Sequence, residues 1–461
     1  QVMPLLKKLG LDSSLPSNYR LISNLCTISK VLERLVLIQL RPHLLSSANF
    51  SEYQSGYRTG HSTETALLEV LDSVYTAADD KQLSVIIGLD LSAAFDTVQH
   101  DILLNRLRDE FGVTSTALSW LTTYVENRQQ YVKVGQQSSS TVQITSGVPQ
   151  GSVLGPILFA AYTSPVGDII KSHGVRYHQY ADDTQLHVAM RTANTAAGLS
   201  ILADCTMDVK HWYLLNGLQL NADKSEVMLV GTAYQLQAAS AIKAVSIAGS
   251  SLPITDKMKT LGVVLDSRLT FERHVSSVIQ SCNYHAQAIR HIRDLLDQSM
   301  AQKLACSLIL SRLDYCNSLL YDAPIEVVSK LQRLQNNVAR IVLKADQRCD
   351  AGPLLRQLHW LPVEHRVRFK IALLTYKVRL TSTPSYLSSL ITTKRSTGYS
   401  LRSSSVPQLT VPRVKTEFAR RAFRVAAPQL WNDLPVNVQS SPSVHVFKSR
   451  LKTFLFNCAS N

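Results

Sequence analysis

Apolar side chains recur along this chain with two periods, and the switches between them mark its elements. Ser29-Lys30-Val31-Leu32-Glu33-Arg34-Leu35-Val36-Leu37-Ile38 places apolar residues at helical spacing, and Pro42 lies just beyond. A second helix is expected from His61-Ser62-Thr63-Glu64-Thr65, capped by Ser62. Thr65 stands where a full capping box has Glu or Gln, so the box reads as incomplete. Residues 1–80 therefore read as helical pieces. Val85-Ile86-Ile87-Gly88-Leu89 is instead a short apolar run of buried-strand type, ending in Asp90. Trp120 to Val125 reads as a helix end, followed by a hairpin arm with Ser138-Ser139-Ser140 at its turn. Val175 to Tyr180 and Thr184 to Val188 are β-branched and aromatic, and Ala181-Asp182-Asp183 between them is turn chemistry. Helical period returns over Leu199 to Leu218, a strand follows at Glu226 to Val230, and residues 270–345 suit packed helices. Arg366 to Leu380 reads as an amphipathic helix, and the Ser/Thr-rich stretch 381–406 as an exposed linker.

Composition narrows the class. The 461 residues are 45% hydrophobic, which means a globular chain of about two to four folding units. No apolar run reaches the roughly 18 residues that span a bilayer. The start, Gln1-Val2-Met3-Pro4, is not a signal peptide and lacks an initiator Met, so the chain reads as a piece of a longer open reading frame. Seven cysteines without a C-x-x-C pair read as free thiols in a reducing compartment. Cys282, His285, Cys306 and Cys316 fit no standard zinc-finger spacing. The formal charge is +14, unevenly spread: residues 281–461 hold 26 basic and 10 acidic side chains, residues 1–280 hold 22 and 24. A basic surplus confined to one half points to a polyanion partner.

The candidate chemistry is acidic. Asp182 and Asp183 sit at the tip of a predicted hairpin, and Asp90 ends a predicted buried strand. Carboxylates meeting in this way suit hard cations with oxygen ligands, with phosphates completing the shell. A pair of such ions clamps the attacking and leaving oxygens of an in-line phosphoryl displacement.

"GLDLSAAFDTV" (88–98), "SGVPQGSVLGPILF" (146–159), "YADD" (180–183), "LNADKSE" (220–226) and "KTLGVVLD" (259–266) resemble, in order, the motifs of a reverse transcriptase palm. The likeness is closest to non-LTR, LINE-type retrotransposon enzymes of jockey flavour. It extends upstream through "NYRLISNLCTISKVLER" (18–34) and "QSGYRTGHSTETAL" (54–67), and downstream through "LHWLPVEHRVRFKIALLTYK" (358–377) and "AAPQLWNDLP" (426–435).

The resemblance implies an α+β right-hand polymerase fold: fingers, a palm with an antiparallel sheet, a helical thumb, and a mostly helical C-terminal region. Its divisions fall at 1–80 for the fingers, 81–269 for the palm with inserted fingers elements, 270–345 for the thumb and 346–461 for the basic C-terminal region. The reverse transcriptase core runs over about 18–268. Asp90, Asp182 and Asp183 become ligands of two Mg2+ ions, with Mn2+ as substitute. Lys224 matches the lysine proposed to protonate departing pyrophosphate. Arg58 would touch the incoming triphosphate. Phe95 stands at the sugar gate, where a ring collides with a ribose 2′-hydroxyl, and neighbouring Asp96 reads as structural. Gln150 would lie beneath the nascent base pair, with Gly147, Gly151 and Gly155 letting backbone approach a flat partner. Leu261 and Gly262 resemble the primer grip.

The implied activity is RNA-directed DNA polymerisation, with an RNA template, a DNA primer and dNTPs as partners. No membrane is involved, and an endonuclease domain is expected upstream in the same polyprotein. The expected location is intracellular, in nucleus and cytoplasm as a ribonucleoprotein. Lys330, Arg333 and Arg340, and the basic, aromatic "EFARRAFRVAAPQLW" (417–431), are candidates for nucleic-acid contact; the latter suits a plain amphipathic helix equally well. Residues 281–461 are expected to clamp the template–primer through phosphates. Two rivals remain. A group II intron-type or cellular reverse transcriptase is disfavoured by the LINE-like tail. A non-catalytic RNA-binding remnant is disfavoured by the intact carboxylates.

Overall fold

The computed structural model describes residues 1–8, 10–394 and 407–459. It opens with an antiparallel hairpin, β1 (Val2–Leu6) and β2 (Tyr19–Ser23), followed by helices α1 (Thr27–Ser46) and α2 (Thr63–Asp79). Strand β3 (Gln82–Ser92) leads through α3 (His100–Asp109) and α4 (Ser115–Val125) to a thin arm. There β4 (Gln129–Gln130) pairs with β7 (Val142–Gln143), and β5 (Lys133–Val134) with β6 (Gln137–Ser138). Helices α5 (Gly155–Thr163) and α6 (Val166–Ser172) return to the hairpin of β8 (Arg176–Tyr180) and β9 (Asp183–Arg191). Then come α7 (Thr195–Leu215), β10 (Gln219–Val230), α8 (Ala233–Ala238), β11 (Ala244–Ile247) and β12 (Ser250–Thr255), and the separate hairpin β13 (Lys257–Thr260) and β14 (Val263–Asp266).

One sheet, in the order β11-β12-β10-β3-β9-β8, organises this half. All its pairings are antiparallel except β10 with β12. Strand β3 is central, which is why its run is apolar on both faces. Its residues alternate, as a strand requires. Ile86, with Met228 and Val230 of β10, packs toward α2 and the helices that follow the sheet. Val85, Ile87 and Leu89 pack the other way, with α3, α5 and α7.

The second half is helical: α9 (Glu272–Ile292), α10 (Gln298–Ala305), a π-helical turn at Cys306–Leu310, α11 (Ser311–Leu313) and α12 (Ile325–Leu343). Next are α13 (Ala351–Gln357), α14 (Val363–Thr381), α15 (Ser385–Ser388), α16 (Glu417–Arg420), α17 (Phe423–Asn432), α18 (Val436–Gln439) and α19 (Val444–Cys458). Helix α14 is buried along much of its length because it faces two cores. Val367 and Ile371 join the core shared with α2, α9 and α12, and Tyr376 joins a smaller one with Trp431 and Phe447.

Several expectations are corrected. The first residues form a hairpin, not a helix, held to the arm where the Val2 N–H donates to the Tyr131 carbonyl at 2.8 Å. Helix α1 runs through Pro42, because Leu40 and Leu44 on its inner face are buried while Pro42 faces solvent. Its apolar stripe at Ile28, Val31, Leu32, Leu35 and Ile38 is exposed rather than core. The α2 capping box is complete, with the Thr65 hydroxyl accepting from the Ser62 N–H at 2.9 Å in place of a Glu. The inner turn of the arm lies at Gly135, which takes φ 60, and not at the serines. Strand β10 begins at Gln219, with an irregularity between Asn221 and Glu226.

The stretch expected to be an exposed linker is not one over its described part. Tyr386 and Leu387 are buried, and Thr393 bridges to Leu409; residues 395–406 lie outside the described residues. The segment 417–431 is an amphipathic element docked on α2, where Arg424 meets Asp72 and Arg421 lies over the Tyr75 and Phe271 rings. Arg340 donates to the Cys349 carbonyl and Lys330 pairs with Glu272, so this basic row is partly engaged within the protein. Cys282 lies against Ile309 and Cys316 against Thr63, so these thiols serve separate packing sites.

Candidate active site

The hairpin of β8 and β9 closes with Tyr180 opposite Asp183, leaving Ala181 and Asp182 as the turn. Ala181 takes the left-handed φ of 59° without being glycine. Next door, Leu89 of β3 faces Thr184 of β9, so Asp90 emerges beside the end of that hairpin. On its other side Asp90 faces Asn221 of β10. The register of three strands thus brings Asp90, Asp182 and Asp183 to one end of the sheet.

Their electrostatics show the crowding. The Asp183 carboxyl reaches solvent at the mouth of a cleft, yet surrounding protein pushes it up to about 6, helped by the charges of Asp182 and Asp90. Asp90 is raised by burial, relieved by Lys224, raised again by Asp182 and relieved by Lys7. Like charges held together without enough cations to balance them make a place for an added cation. As they stand, no three His, Cys, Asp or Glu side chains among the described residues converge on one point tightly enough to hold a metal ion. The donors still fit Mg2+. They are carboxylate oxygens at a cleft mouth, and Mg2+ is bound through one or two carboxylates with substrate phosphates and waters filling its remaining positions.

The other predicted residues divide. Lys224 lies in the irregular part of β10 and lines the cleft with Asp90, Asp183 and Lys259. Phe95 is half-buried, stacked on Phe159 at 4.6 Å between centroids, so one side is core and the other faces out. Gln150 donates through Nε2 to the Asp96 carboxylate at 2.9 Å, which gives Asp96, in the turn between β3 and α3, a partner on the Gly/Pro loop. Burial raises the Asp96 carboxyl, and the Gln150 bond and Lys7 oppose that rise.

The motif glycines approach the protein itself. A Cβ on Gly147 would stand 2.8 Å from the Asp96 carbonyl oxygen, and one on Gly151, at φ +102°, 3.2 Å from that of Ser23. Leu261 and Gly262 form the β13–β14 turn, where the Tyr315 hydroxyl donates to the Leu261 carbonyl at 2.7 Å. Arg58 is not brought to the aspartates. Its Nη1 donates to the Ser51 and Glu52 carbonyls, and its guanidinium lies over the Phe50 ring.

Sequence reading missed four participants. Lys7 reaches the site because the N-terminal hairpin folds onto the Gly/Pro loop, where the Ser23 N–H donates to the Gln150 carbonyl at 2.8 Å. Glu33 of α1 is buried and accepts from the Val153 and Leu154 N–H groups, fixing that loop from behind. Tyr57 is exposed and feels the charge of Asp182. Gln54 is fully buried, with its amide on Ala181. The available signal was a buried-looking acid inside an apolar helix for Glu33; Gln54 and Lys7 carry none without the tertiary fold.

Residues 6–265 match the family model described as reverse transcriptase (RNA-dependent DNA polymerase). The chain is 28% identical over 381 residues to the probable RNA-directed DNA polymerase from transposon BS of Drosophila melanogaster, covering 79% of this chain and 40% of that protein. It is 29% identical over 283 residues to the RNA-directed DNA polymerase from mobile element jockey of the same fly, covering 60% of this chain and 30% of that one. The chain therefore spans about two fifths or less of these relatives' lengths. Among solved structures, telomerase from Candida tropicalis in complex with a fragment of telomeric RNA aligns over 93% of this chain and 56% of its own, at 11% identity and a TM-score of 0.38. No helix among the described residues is long and apolar enough to cross a membrane.

Proposed function

This chain belongs to the reverse transcriptase (RNA-dependent DNA polymerase) family, and from that premise we propose that it copies RNA into DNA for a non-LTR retrotransposon, extending a 3′-hydroxyl primer with dNTPs. The observation that carries this reading is the placement of Asp90, Asp182 and Asp183 at one end of the sheet, with Asp90 and Asp183 lining a cleft. A divalent metal is general to the family. Two Mg2+ ions held there, or Mn2+ in their place, would neutralise charge on the attacking and leaving oxygens.

The chain's own side chains have separable tasks. Asp90, Asp182 and Asp183 would present the oxygens that hold the metal, and a bound cation would lower the Asp183 carboxyl that burial and the neighbouring acids raise. Lys224, on the wall shared with Asp90, donates a proton to the departing pyrophosphate. Phe95, anchored on Phe159, presents its free side to the sugar and excludes a 2′-hydroxyl. Gln150, oriented by Asp96, lies along the base pair being formed. Leu261 and Gly262, backed by Tyr315, offer backbone to the primer end. The triphosphate is met by Lys224 and Lys259, which line the cleft beside Asp90 and Asp183, while the Nη1 of Arg58 lies on its own loop.

The test is primer extension by this chain on an RNA template with dNTPs and Mg2+. DNA product of template length is expected. A folded chain that binds the RNA and extends nothing would make it a non-catalytic RNA-binding remnant.

A further inference from the structure

The aspartate turn is held from outside its own hairpin. Gln54 is fully buried, and its side-chain amide brackets Ala181: Nε2 donates to the Ala181 carbonyl at 3.0 Å, and Oε1 accepts from the Ala181 N–H at 2.9 Å. The same Oε1 accepts from the Gly56 N–H at 2.9 Å. Gly56 lies so close that a Cβ there would stand 2.5 Å from the Ala181 nitrogen. The loop is registered on the edge strand by backbone bonds, from the Gln179 N–H to the Tyr53 carbonyl at 2.9 Å and from the Ser55 N–H to the Gln179 carbonyl at 2.8 Å. An alanine in left-handed backbone, one residue before the first turn carboxylate, is thus fixed by two directed hydrogen bonds.

Behind this loop stands a residue more than 300 positions away in sequence. Tyr386, on α15, is 5% exposed. Its hydroxyl bonds to Ser55 Oγ at 2.8 Å and Thr65 Oγ1 at 3.0 Å. Its ring stacks on Tyr53 and meets His178 of β8 edge-on at 5.0 Å. Core packing alone would need the ring and not the hydroxyl. Here the hydroxyl ties the α2 cap to the residue next to Gln54.

We propose that the segment after α14 braces the catalytic hairpin through Tyr386, making Gln54 and Tyr386 positioning residues for Asp182 and Asp183. The physical reason is precision. Metal-binding carboxylates must be held within a fraction of an ångström, and losing an outer partner costs about 10–100-fold in metal affinity or activity. A two-residue turn supplies no such rigidity by itself. The brace rests on the polymerase reading only for its consequence in catalysis.

The experiment uses the full chain and two variants. Gln54→Met keeps the shape and removes the bracket; Tyr386→Phe removes only a hydroxyl and leaves Ser55 bonded to His178. Mn2+ binding is first measured without nucleic acid, by the paramagnetic signal of the free ion, with melting as control. Gln54→Met should bind Mn2+ about tenfold more weakly and Tyr386→Phe a few-fold more weakly. Primer extension should then show kcat falling by similar factors with the KM for dNTP unchanged, a split that general loosening would not give. Folded Gln54→Met and Tyr386→Phe with wild-type Mn2+ affinity would overturn the brace. Wild-type protein that binds Mn2+ but extends no primer would instead overturn the polymerase reading, and the Mn2+ difference between variants would still decide the brace.

Discussion

Two groups of carboxylates lie on neighbouring elements and are treated in opposite ways. Along α2, Glu64, Asp72 and Asp79 are each claimed by the helical half of the chain. Glu64 accepts from the Ser318 N–H at 3.1 Å and pairs with Lys370. Asp72, 1% exposed, receives Arg424 Nε at 2.6 Å and the Arg424 N–H at 2.8 Å. Asp79 accepts from the Lys415 and Thr416 N–H groups, both at 2.8 Å. Asp90, Asp182 and Asp183 have mainly one another, with lysines at the cleft wall. Acids whose hydrogen bonds are satisfied inside the protein hold it together. Acids crowded at a cleft mouth are left for something the chain does not contain. Burial raises Asp72 even against its arginine, so that pair fixes geometry more than it adds net stability.

The largest break in this contrast is removal of residues 346–461. If the α2 carboxylates and the shared core depend on that region, the truncated chain should lose its cooperative melt and aggregate. A truncated protein that melts normally, extends primers and merely shows a flatter salt dependence of binding would instead support the phosphate clamp expected from charge. Next comes Arg424→Ala. It strands a buried carboxylate while Arg424 itself is partly exposed, so a loss of about 3 kcal/mol is expected in denaturant unfolding, with extension retained below the melting range. Smaller is Phe95→Val. It should reduce discrimination between dNTP and rNTP by about 10- to 100-fold as a ratio of kcat/KM. An unchanged ratio would leave Phe95 as a partner of Phe159 only.

The two groups also differ in how far they could be read from sequence. The aspartates were legible because local pattern fixes them. An apolar run made β3, a two-residue turn made the hairpin, and register did the rest. The α2 contacts were not, because they join residues such as Asp72 and Arg424 across the whole chain, and nothing local at either end marks the pair. Charge counting does not separate surface cations from engaged ones for the same reason. The arginines at 421 and 424 have a buried acid and two aromatic rings beneath them. The Ser/Thr-rich composition after α14 hid Tyr386 in the same way. Arg58 was placed by motif, whereas the carbonyls of Ser51, Glu52 and Gln54 that its Nη1 donates to come from the folded loop.

The most direct test sets one member of each group against the other. Asp182→Asn and Asp72→Asn remove the same charge with nearly the same shape, and each variant is assayed for melting and for primer extension on RNA at a temperature where both are folded. Asp182→Asn should melt like wild type and lose extension by at least about 10²-fold, whereas Asp72→Asn should melt several degrees lower and extend normally. Extension at the wild-type rate by folded Asp182→Asn would contradict the account.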